Sequence, residues 1–216
     1  MICCIFGAGD YHGEWLDVAK GAFVIAADGG LCHTERYGIM PSLAVGDFDS
    51  LGRLPKGVET LTFPVMKDDT DMALAVKEGL ARGCDAFVLF GGMGGRLDHT
   101  LANMALVLSL VKQGISAYLV GGEGVVTALC GGECLAFSKE CEGILSVFAA
   151  GDRALGVTIR GLLYPLENGM LTNTRALGVS NHFAGQEAAI SVDEGCLFLV
   201  WENLNNPLPE KSLLND

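Results

Sequence analysis

The 216-residue sequence has no apolar run of about eighteen residues, the length that a membrane helix needs. It is also poor in basic residues, with 14 Lys and Arg against 26 Asp and Glu and a net charge of −12. A nucleic-acid surface requires clustered Lys and Arg, so we predict neither a membrane nor a nucleic-acid partner. The opening MICCIFGAGD has no basic segment and no small-residue cleavage site, and we expect a first core strand there rather than a signal peptide.

Histidine is scarce as well, and the four His are scattered. Because there is also no G-x-S-x-G motif, the sequence gives poor support for nucleophilic hydrolysis. The eight cysteines do not match a zinc site, since Cys130, Cys134 and Cys141 are spaced C-x3-C-x6-C without a neighbouring His. The others lie in or beside apolar segments, where a free Cys behaves as a small hydrophobe: Cys3, Cys4, Cys32, Cys84 and Cys196. We therefore predict structural thiols and a cytoplasmic location.

Apolar residues are abundant, at 50% of the sequence, and their spacing follows two different patterns along the chain. Up to about residue 120, short apolar runs predict buried strands at 2–6, 22–26, 43–45, 58–61, 86–90 and 117–120. Helical periodicity predicts helices at 71–81, with Met72, Ala75, Val76 and Leu80 on one face, and at 97–112, with Leu97, Leu101, Met104, Ala105, Leu108 and Val111 on one face. This alternation predicts a mostly parallel α/β sheet domain.

After residue 122 the helical period disappears. Apolar runs at 125–130, 144–150, 187–192 and 196–201, separated by turns, predict an antiparallel sandwich or barrel. From Asn203 onward the chain is polar and holds two prolines, so we expect part of it to fray. The predicted fold class is α/β plus all-β, with an α/β domain at 1–122, a β domain at 123–204 and a flexible tail at 205–216.

Aspartates cluster where predicted strands end or a helix begins: Asp28, then Asp47 and Asp49, then Asp68, Asp69 and Asp71. In a parallel sheet, ligands bind at the carboxyl ends of the strands. In extended backbone, Asp47 and Asp49 point to the same side and Phe48 into packing. Carboxylates placed in this way suit Mg²⁺, which in phosphoryl chemistry bridges phosphate oxygens. The alternative for Asp68 or Asp69 is a simple helix N-cap.

A glycine-rich segment, GGMGGRLDHTLAN at 91–103, joins a predicted strand to the long helix. Glycines allow close backbone approach to a ligand, the helix N-terminus offers unpaired N–H groups to an anion, and Arg96 adds a phosphate-binding fork. No Lys follows at the Walker spacing. The segment GAGDYHG at 7–13 is one residue too long for a dinucleotide fingerprint, although a glycine-rich loop after the first strand is compatible with a nucleotide contact.

Taken in order, five motifs resemble those of the thiamine pyrophosphokinase family: ADGG (27–30), GDFDS (46–50), KDDTDMALA (67–75), GGRLDHTLAN (94–103) and GVSNHF (178–183). The resemblance implies a homodimer of chains with an N-terminal α/β domain and a C-terminal β-sandwich. It implies transfer of the whole pyrophosphate of ATP to the hydroxyethyl oxygen of thiamine, with release of AMP. It also implies that the thiamine site lies at the dimer interface.

By motif position, the resemblance implies Asp47, Asp49 and Asp71 as Mg²⁺ ligands, with Asp28 on the metal or its waters. Asp98, near the thiamine alcohol, joins Asp49 and Asp71 as a catalytic residue. Ligand-binding positions are Gly94, Gly95, Arg96, Asp28, Asp68, Thr70, Ser180 and Asn181, of which Ser180 and Asn181 reach the thiamine site across the dimer. Some family members place a late Trp against the substrate's pyrimidine ring, but we expect core packing for Trp201.

Two other functions share the same carboxylates. One is a Mg²⁺-dependent phosphohydrolase that acts on a nucleotide or phosphate ester. The other is a non-catalytic sensor of thiamine or nucleotide. The first would release free phosphate or pyrophosphate, and the second would bind its ligand without forming AMP.

Overall fold

The computed structural model describes residues 1–13, 15–48, 57–64, 68–202 and 204–214. The chain divides into an N-terminal unit, Met1–Glu123, and a C-terminal unit, Gly124–Asp216. The N-terminal unit contains β1 (Ile2–Phe6), a 3-10 helix (Leu16–Ala19), β2 (Phe23–Ala27), α1 (Gly30–Arg36), β3 (Leu43–Gly46), β4 (Glu59–Thr62), α2 (Asp71–Ala81), β5 (Ala86–Phe90), α3 (Leu97–Lys112) and β6 (Ser116–Gly121). None of the described helices is long and apolar enough to cross a membrane.

The N-terminal sheet is parallel, in the order β6-β5-β1-β2-β3-β4. β1 lies in its middle, where Cys3 stands opposite both Phe23 and Phe87, and its side chains from Cys3 to Phe6 are fully buried. The helices α1 and α2 pack on the central strands and α3 packs on β6. The predicted parallel α/β architecture is confirmed.

The helices α2 and α3 begin and end where the periodicity predicts, but the buried face of α3 was predicted wrongly. Leu97 and Leu101 are 71% and 58% exposed, while Asn103, Val107 and Leu110 are buried. The helix is apolar around much of its circumference, so packing on β6 selects the face and the sequence pattern alone does not. The short helix α1 was not predicted.

The C-terminal unit contains β7 (Gly124–Cys130), β8 (Glu133–Phe137), β9 (Ile144–Ala149), β10 (Arg153–Arg160), β11 (Leu166–Thr172), β12 (Gly178–His182), β13 (Ala188–Val192), β14 (Cys196–Trp201) and β15 (Glu210–Leu213). Its strands form two antiparallel groups, β12-β9-β14-β7 and β11-β10-β13-β8-β15. Burial alternates along β9, β13 and β14, as expected for sheets with one face in a core.

The two groups pack face to face as a sandwich. Phe137 of β8 and Trp201 of β14 come from different groups, and their rings meet edge to face with centroids 5.6 Å apart. Trp201 is fully buried, so it belongs to the core. The prediction of a β-sandwich following an α/β domain is confirmed.

The predicted flexible tail at 205–216 is wrong for its described residues. β15 pairs antiparallel with β8, and Lys211 forms an ion pair with the largely buried Glu133 at 2.6 Å. Asn206 is 4% exposed, and its side-chain amide both donates to and accepts from the backbone of Glu142. Polar composition suggested fraying, but pairing with a distant strand orders this segment.

Cysteine pairing also differs from the prediction. Cys130 and Cys196 form a disulfide because the register of β7 and β14 places them directly opposite each other, 66 residues apart in sequence. The other six cysteines are free, and of these Cys3, Cys4, Cys84 and Cys141 are buried. Burial raises the pKa of the Cys4 thiol to about 12, as expected for an inert core thiol.

Candidate functional site

A cleft of about 330 Å³ opens at the carboxyl ends of the parallel strands. β1 has β2 on one side and β5 on the other, so the connections after these strands leave in opposite directions and a crevice forms between them. The cleft is lined by Ala27 at the end of β2, by loop residues Gly7, Ala8, Gly9, Asp28, Gly91, Gly92, Gly94 and Gly95, by Thr70, Asp71, Met72, Arg96 and His99 at the starts of α2 and α3, and by Asn103 further along α3.

The floor of the cleft is made where the loops after β1 and β5 meet. The N–H of Gly7 donates to the Phe90 carbonyl at 2.8 Å, and the N–H of Gly9 donates to the Gly91 carbonyl at 3.0 Å. Gly91 has φ +64°, and a Cβ there would lie 2.6 Å from the Gly9 carbonyl oxygen. A side chain would separate the two loops, so glycine is required. The loop after β1, which the sequence left as a possible nucleotide contact, thus forms part of the cleft.

Two of the predicted metal ligands, Asp28 and Asp71, line this cleft. Asp28 is half-buried and held at φ +45°, an uncommon conformation for a residue with a side chain. Its backbone N–H donates to the Val45 carbonyl of β3 at 2.8 Å. Asp71 is the first residue of α2. The end of β2 and the start of α2 therefore bring two carboxylates that are far apart in sequence to the same cleft.

The segment after β3 does not have the predicted geometry. Phe48 is buried, as expected, but its φ is +56°, so the backbone turns there and is not extended. The argument that Asp47 and Asp49 share one side of a strand fails for that reason. Asp47 is half-buried and is not among the residues that line the cleft, and Asp49 lies outside the described residues.

The N-cap of α2 is Thr70, not Asp68 or Asp69. The Thr70 hydroxyl accepts a hydrogen bond from the backbone N–H of Ala73 at 3.1 Å. Asp69 instead pairs with Lys77 at 2.5 Å, and Asp68 is exposed outside the cleft lining. Thr70, a predicted ligand-binding residue, therefore fixes the first turn of the helix that presents Asp71.

The start of α3 presents an anion-binding geometry. Gly94 and Gly95 have φ of +80° and +66°, and nothing occupies the space that a Cβ would take at either position. Arg96 is the N-cap residue and makes no side-chain capping hydrogen bond, so the first N–H groups of the helix are not satisfied by a cap. These predicted phosphate-binding residues all line the cleft.

Arg96 also holds Asp98 through two hydrogen bonds, from Nε to Oδ1 at 3.2 Å and from the terminal guanidinium nitrogen to Oδ2 at 2.6 Å. This guanidinium contact lowers the pKa of the Asp98 carboxyl to about 2. Asp98 does not line the cleft, whereas His99 does. Asp98 is thus hydrogen-bonded to Arg96, the residue predicted to bind phosphate.

In the C-terminal unit, Ser180 and Asn181 occupy a bulge of β12. The pairing with β9 shifts register between Gly178 and Asn181, and Ser180 has φ +57°. Ser180 is exposed, and its backbone N–H donates to the Ser146 hydroxyl at 3.0 Å. A strained, exposed polar residue on a bulged strand is a common feature of binding sites.

Asn181 has a different role from its neighbour. It is 4% exposed, its Nδ2 donates to the Tyr164 carbonyl at 2.7 Å, and its Oδ1 accepts from the Tyr164 N–H at 2.9 Å. The amide is occupied in fixing the Tyr164 backbone. Tyr164 is left 63% exposed beside an apolar groove that includes Leu166, Leu177 and Val179.

Among the polar side chains of these sites, sequence reasoning did not assign three to a site: His99, Asn103 and Tyr164. His99 and Asn103 lie within a motif that was noticed, but the motif does not show which of its side chains turn toward the cleft. Tyr164 follows no recognised pattern, and its connection to Asn181 spans 17 residues.

The described residues contain no group of three or more His, Cys, Asp and Glu side chains arranged to hold a metal ion. The donors that do share the cleft, Asp28 and Asp71, are hard oxygen ligands. Mg²⁺ is usually bound through one or two carboxylates together with substrate phosphates and water. The donor set therefore fits Mg²⁺ that arrives with a polyphosphate.

Comparison with known families finds two matches in this chain. Residues 17–119 match the model described as "Thiamin pyrophosphokinase, catalytic domain", and residues 135–197 match "Thiamin pyrophosphokinase, vitamin B1 binding domain". The thiamine pyrophosphokinase of Bacillus subtilis is 30% identical over 206 residues, which span 93% of this chain and 92% of that protein.

Solved structures give the same result. The crystal structure of the Bacillus subtilis thiamine pyrophosphokinase superposes with a TM-score of 0.81 at 25% identity, covering 94% of this chain and 99% of that one. Yeast thiamin pyrophosphokinase shares the fold, with a TM-score of 0.74 at 15% identity over 95% of this chain and 87% of that one.

Proposed function

We propose, because the chain belongs to the thiamin pyrophosphokinase family, that it transfers pyrophosphate from ATP to thiamine to give thiamine diphosphate and AMP. The observation that carries the proposal is the cleft at the switch point of the sheet. There, two carboxylates face a glycine-rich loop and an N-terminus of α3 that lacks a side-chain cap. This combination suits a polyphosphate that carries a divalent cation.

In the proposed reaction the hydroxyethyl oxygen of thiamine forms a bond to the β-phosphorus of ATP. The bond from that phosphorus to the bridging oxygen on the α-phosphorus breaks, AMP leaves with the oxygen, and the proton of the alcohol is released to solvent. Such transfer depends on in-line positioning and on neutralisation of phosphate charge rather than on covalent catalysis. The acidic chain, with a net charge of −12, makes that neutralisation a requirement.

Each residue of the cleft takes a part in this scheme. Gly94, Gly95 and the first turn of α3 would receive the phosphates, and Arg96 would bind them with a guanidinium whose orientation Asp98 fixes. Asp28 and Asp71 would hold Mg²⁺, joined by Asp47 and Asp49 from the next strand end. When bound, Mg²⁺ offsets charge on the phosphate oxygens.

Asp98 could serve the reaction in a second way. The family resemblance implies a place near the thiamine alcohol, where Asp98, like an ordinary aspartate, is an anion at neutral pH. A carboxylate suits the cationic substrate. Asp68 is exposed, and we assign it an outer position near the phosphates.

Thiamine would be received by the C-terminal unit. Its thiazolium ring is cationic, and an exposed aromatic ring attracts such a ligand. Tyr164, fixed by Asn181 beside Ser180, offers that surface, so Asn181 would act by positioning Tyr164.

We further propose a homodimer with the thiamine site at its interface. The C-terminal unit exposes Leu163, Tyr164, Met170, Leu177 and Val179 by between 44% and 63%, and exposed apolar surface of this kind is typical of protein interfaces. Sedimentation tests this proposal. The wild type should sediment as a dimer, and the dimer of Leu177→Glu should dissociate more readily. A monomeric wild type that is fully active would contradict it.

The reaction is tested with ATP, thiamine and Mg²⁺ by mass spectrometry of the products. Wild type should form thiamine diphosphate and AMP in equal amounts, and EDTA should stop it. Asp71→Asn should lower turnover by about a hundredfold or more. The matched control is Asp69→Asn, two positions away in a surface ion pair, which should keep wild-type turnover.

The competing functions give different products. Free phosphate or pyrophosphate without thiamine diphosphate would identify a phosphohydrolase, and tight binding without AMP would identify a sensor. Either result overturns the proposal, as does full activity of Asp71→Asn.

We also propose a cytoplasmic location, where ATP is available. Six of the eight cysteines are free, which is typical of a reducing compartment, while the disulfide between Cys130 and Cys196 argues for the opposite. In fractionation of cells that express the chain, the protein should remain in the cytoplasmic fraction. Recovery together with a periplasmic or secreted marker would contradict the proposal.

A further inference from the structure

Asn103 is a polar side chain on the buried face of an otherwise apolar helix. It is 5% exposed, and its neighbours on that face of α3 are Val107, Leu110 and Val111. Burying an amide costs free energy unless its hydrogen bonds are made. Here Nδ2 donates to the carbonyl of Gly92 at 2.8 Å, across the turn that leads from β5 to α3.

This hydrogen bond completes a series along the end of β5. The carbonyl of Phe90 accepts from the N–H of Gly7, the carbonyl of Gly91 accepts from the N–H of Gly9, and the carbonyl of Gly92 accepts from Asn103. Three successive carbonyls are thus held by partners in the protein. Their orientation fixes the path of the backbone into the part of the loop that faces the cleft.

Gly92 is also held sterically. A Cβ at this position would lie 2.4 Å from Leu119 Cδ1 and 3.1 Å from Asn103 Nδ2. The backbone of Gly92 therefore packs directly against α3 and β6, with Asn103 on one side. Gly94 and Gly95, which have open space around them, follow two and three residues later.

We propose that Asn103 is a positioning residue for nucleotide binding: through Gly92 it sets the conformation of the glycine loop that receives the phosphates. The inference rests on the proposed function, because it assigns the polyphosphate to this loop. Asn103 acts through the backbone and carries no part of the chemistry. Its loss should therefore weaken nucleotide binding more than it slows turnover at saturation.

The test uses Asn103→Leu in the full-length chain. Leu keeps the volume and removes the donor in an apolar surrounding, so the variant should fold. For Asn103→Leu we expect the KM for ATP to rise about tenfold while kcat falls by less than about threefold and the KM for thiamine is unchanged. A non-hydrolysable ATP analogue with Mg²⁺ should lose affinity by the same factor in calorimetry.

The matched control is Asn206→Leu. Asn206 is 4% exposed and its amide likewise bonds to backbone, at Glu142, but it belongs to the C-terminal unit. It should lower the melting temperature as Asn103→Leu does and leave the KM for ATP unchanged. A KM for ATP that moves equally in both variants would reduce Asn103 to a structural residue.

Gly92→Ala disturbs the same contact from the other side. If Asn103 acts through Gly92, the double variant Asn103→Leu/Gly92→Ala should bind the analogue no more weakly than whichever single variant has the lower affinity for it. Additive losses would contradict the inference. Failure of the proposed function and failure of this inference can be told apart. A wild type that binds the analogue but makes no thiamine diphosphate overturns only the reaction. Unchanged analogue affinity in Asn103→Leu overturns only the positioning role.

Discussion

The substitution Thr70→Ala removes the hydrogen bond between the Thr70 hydroxyl and the N–H of Ala73, which caps α2 at 3.1 Å. Loss of such a cap costs about 1 kcal/mol, within a range of about 0.5 to 2. For a chain of this length, that should lower the melting temperature by about 3 °C. The loosened turn contains Asp71, so kcat/KM should fall by at least about tenfold, more than the change in stability alone accounts for.

Two companion variants separate the cap from a direct ligand contact. Thr70→Ser keeps the hydroxyl and should keep both melting temperature and kcat/KM close to wild type. Thr70→Asp also caps a helix well, but it adds a negative charge to the cleft, so it should keep the melting temperature and weaken nucleotide binding. Calorimetric melting and steady-state kinetics measure both quantities. Wild-type stability and activity in Thr70→Ala would refute the reasoning.

Three further predictions concern other parts of the chain. NMR titration of the Asp98 carboxyl should show a pKa of about 2. Because this pKa is lowered, the ion pair with Arg96 stabilises the fold at pH values above the ordinary carboxyl pKa, and the stabilisation is lost as the pH falls through about 2. Tyr11→Phe should leave stability unchanged or raise it by up to about 1 kcal/mol, because the buried hydroxyl has no hydrogen-bond partner among the described residues. Alkylation in denaturant should count six free thiols before reduction, and reduction of Cys130–Cys196 should lower the free energy of unfolding by about 4 kcal/mol, since the bond spans 66 residues.

Each has a control and a contrary outcome. Arg96→Gln should return the Asp98 pKa toward its ordinary range, and an unmoved pKa would show that Arg96 is not the cause. Tyr37→Phe, which loses a hydrogen bond to the Tyr11 carbonyl, should destabilise slightly, and a larger loss in Tyr11→Phe would reveal a partner for that hydroxyl. Eight alkylated thiols without reductant would rule out the disulfide.

Local signals in the sequence predicted the N-terminal unit well. The bounds of α2 and α3 and the bounds of β1 and β5 follow from apolar periodicity, and strand-to-helix alternation predicts the parallel sheet. The convergence of Asp28 and Asp71 follows from topology, since in a parallel sheet the carboxyl ends of the strands and the starts of the helices that follow them share one edge. Long-range packing was not needed for these predictions.

Features that depend on distant partners could not be predicted. β15 has the polar sequence EKSL and exists through pairing with β8, and the Cys130–Cys196 bond depends on the register of two strands far apart in sequence. The turn at Phe48 depends on a left-handed backbone conformation that the neighbouring residues do not predict. Burial of Asn103 in place of Leu101 reflects which face of α3 the sheet accepts.

The central claim is that a whole pyrophosphate group passes from ATP to thiamine in the cleft beside Asp71. The most direct measurement uses ATP that carries a heavy oxygen isotope at the non-bridging oxygens of its β-phosphate, with thiamine and Mg²⁺, and follows the label by mass spectrometry. The label should appear in thiamine diphosphate, with unlabelled AMP formed in equal amount and with transfer by Asp71→Asn slowed by about a hundredfold or more. Recovery of the label in ADP, phosphate or pyrophosphate, or transfer by Asp71→Asn at the wild-type rate, would contradict the account.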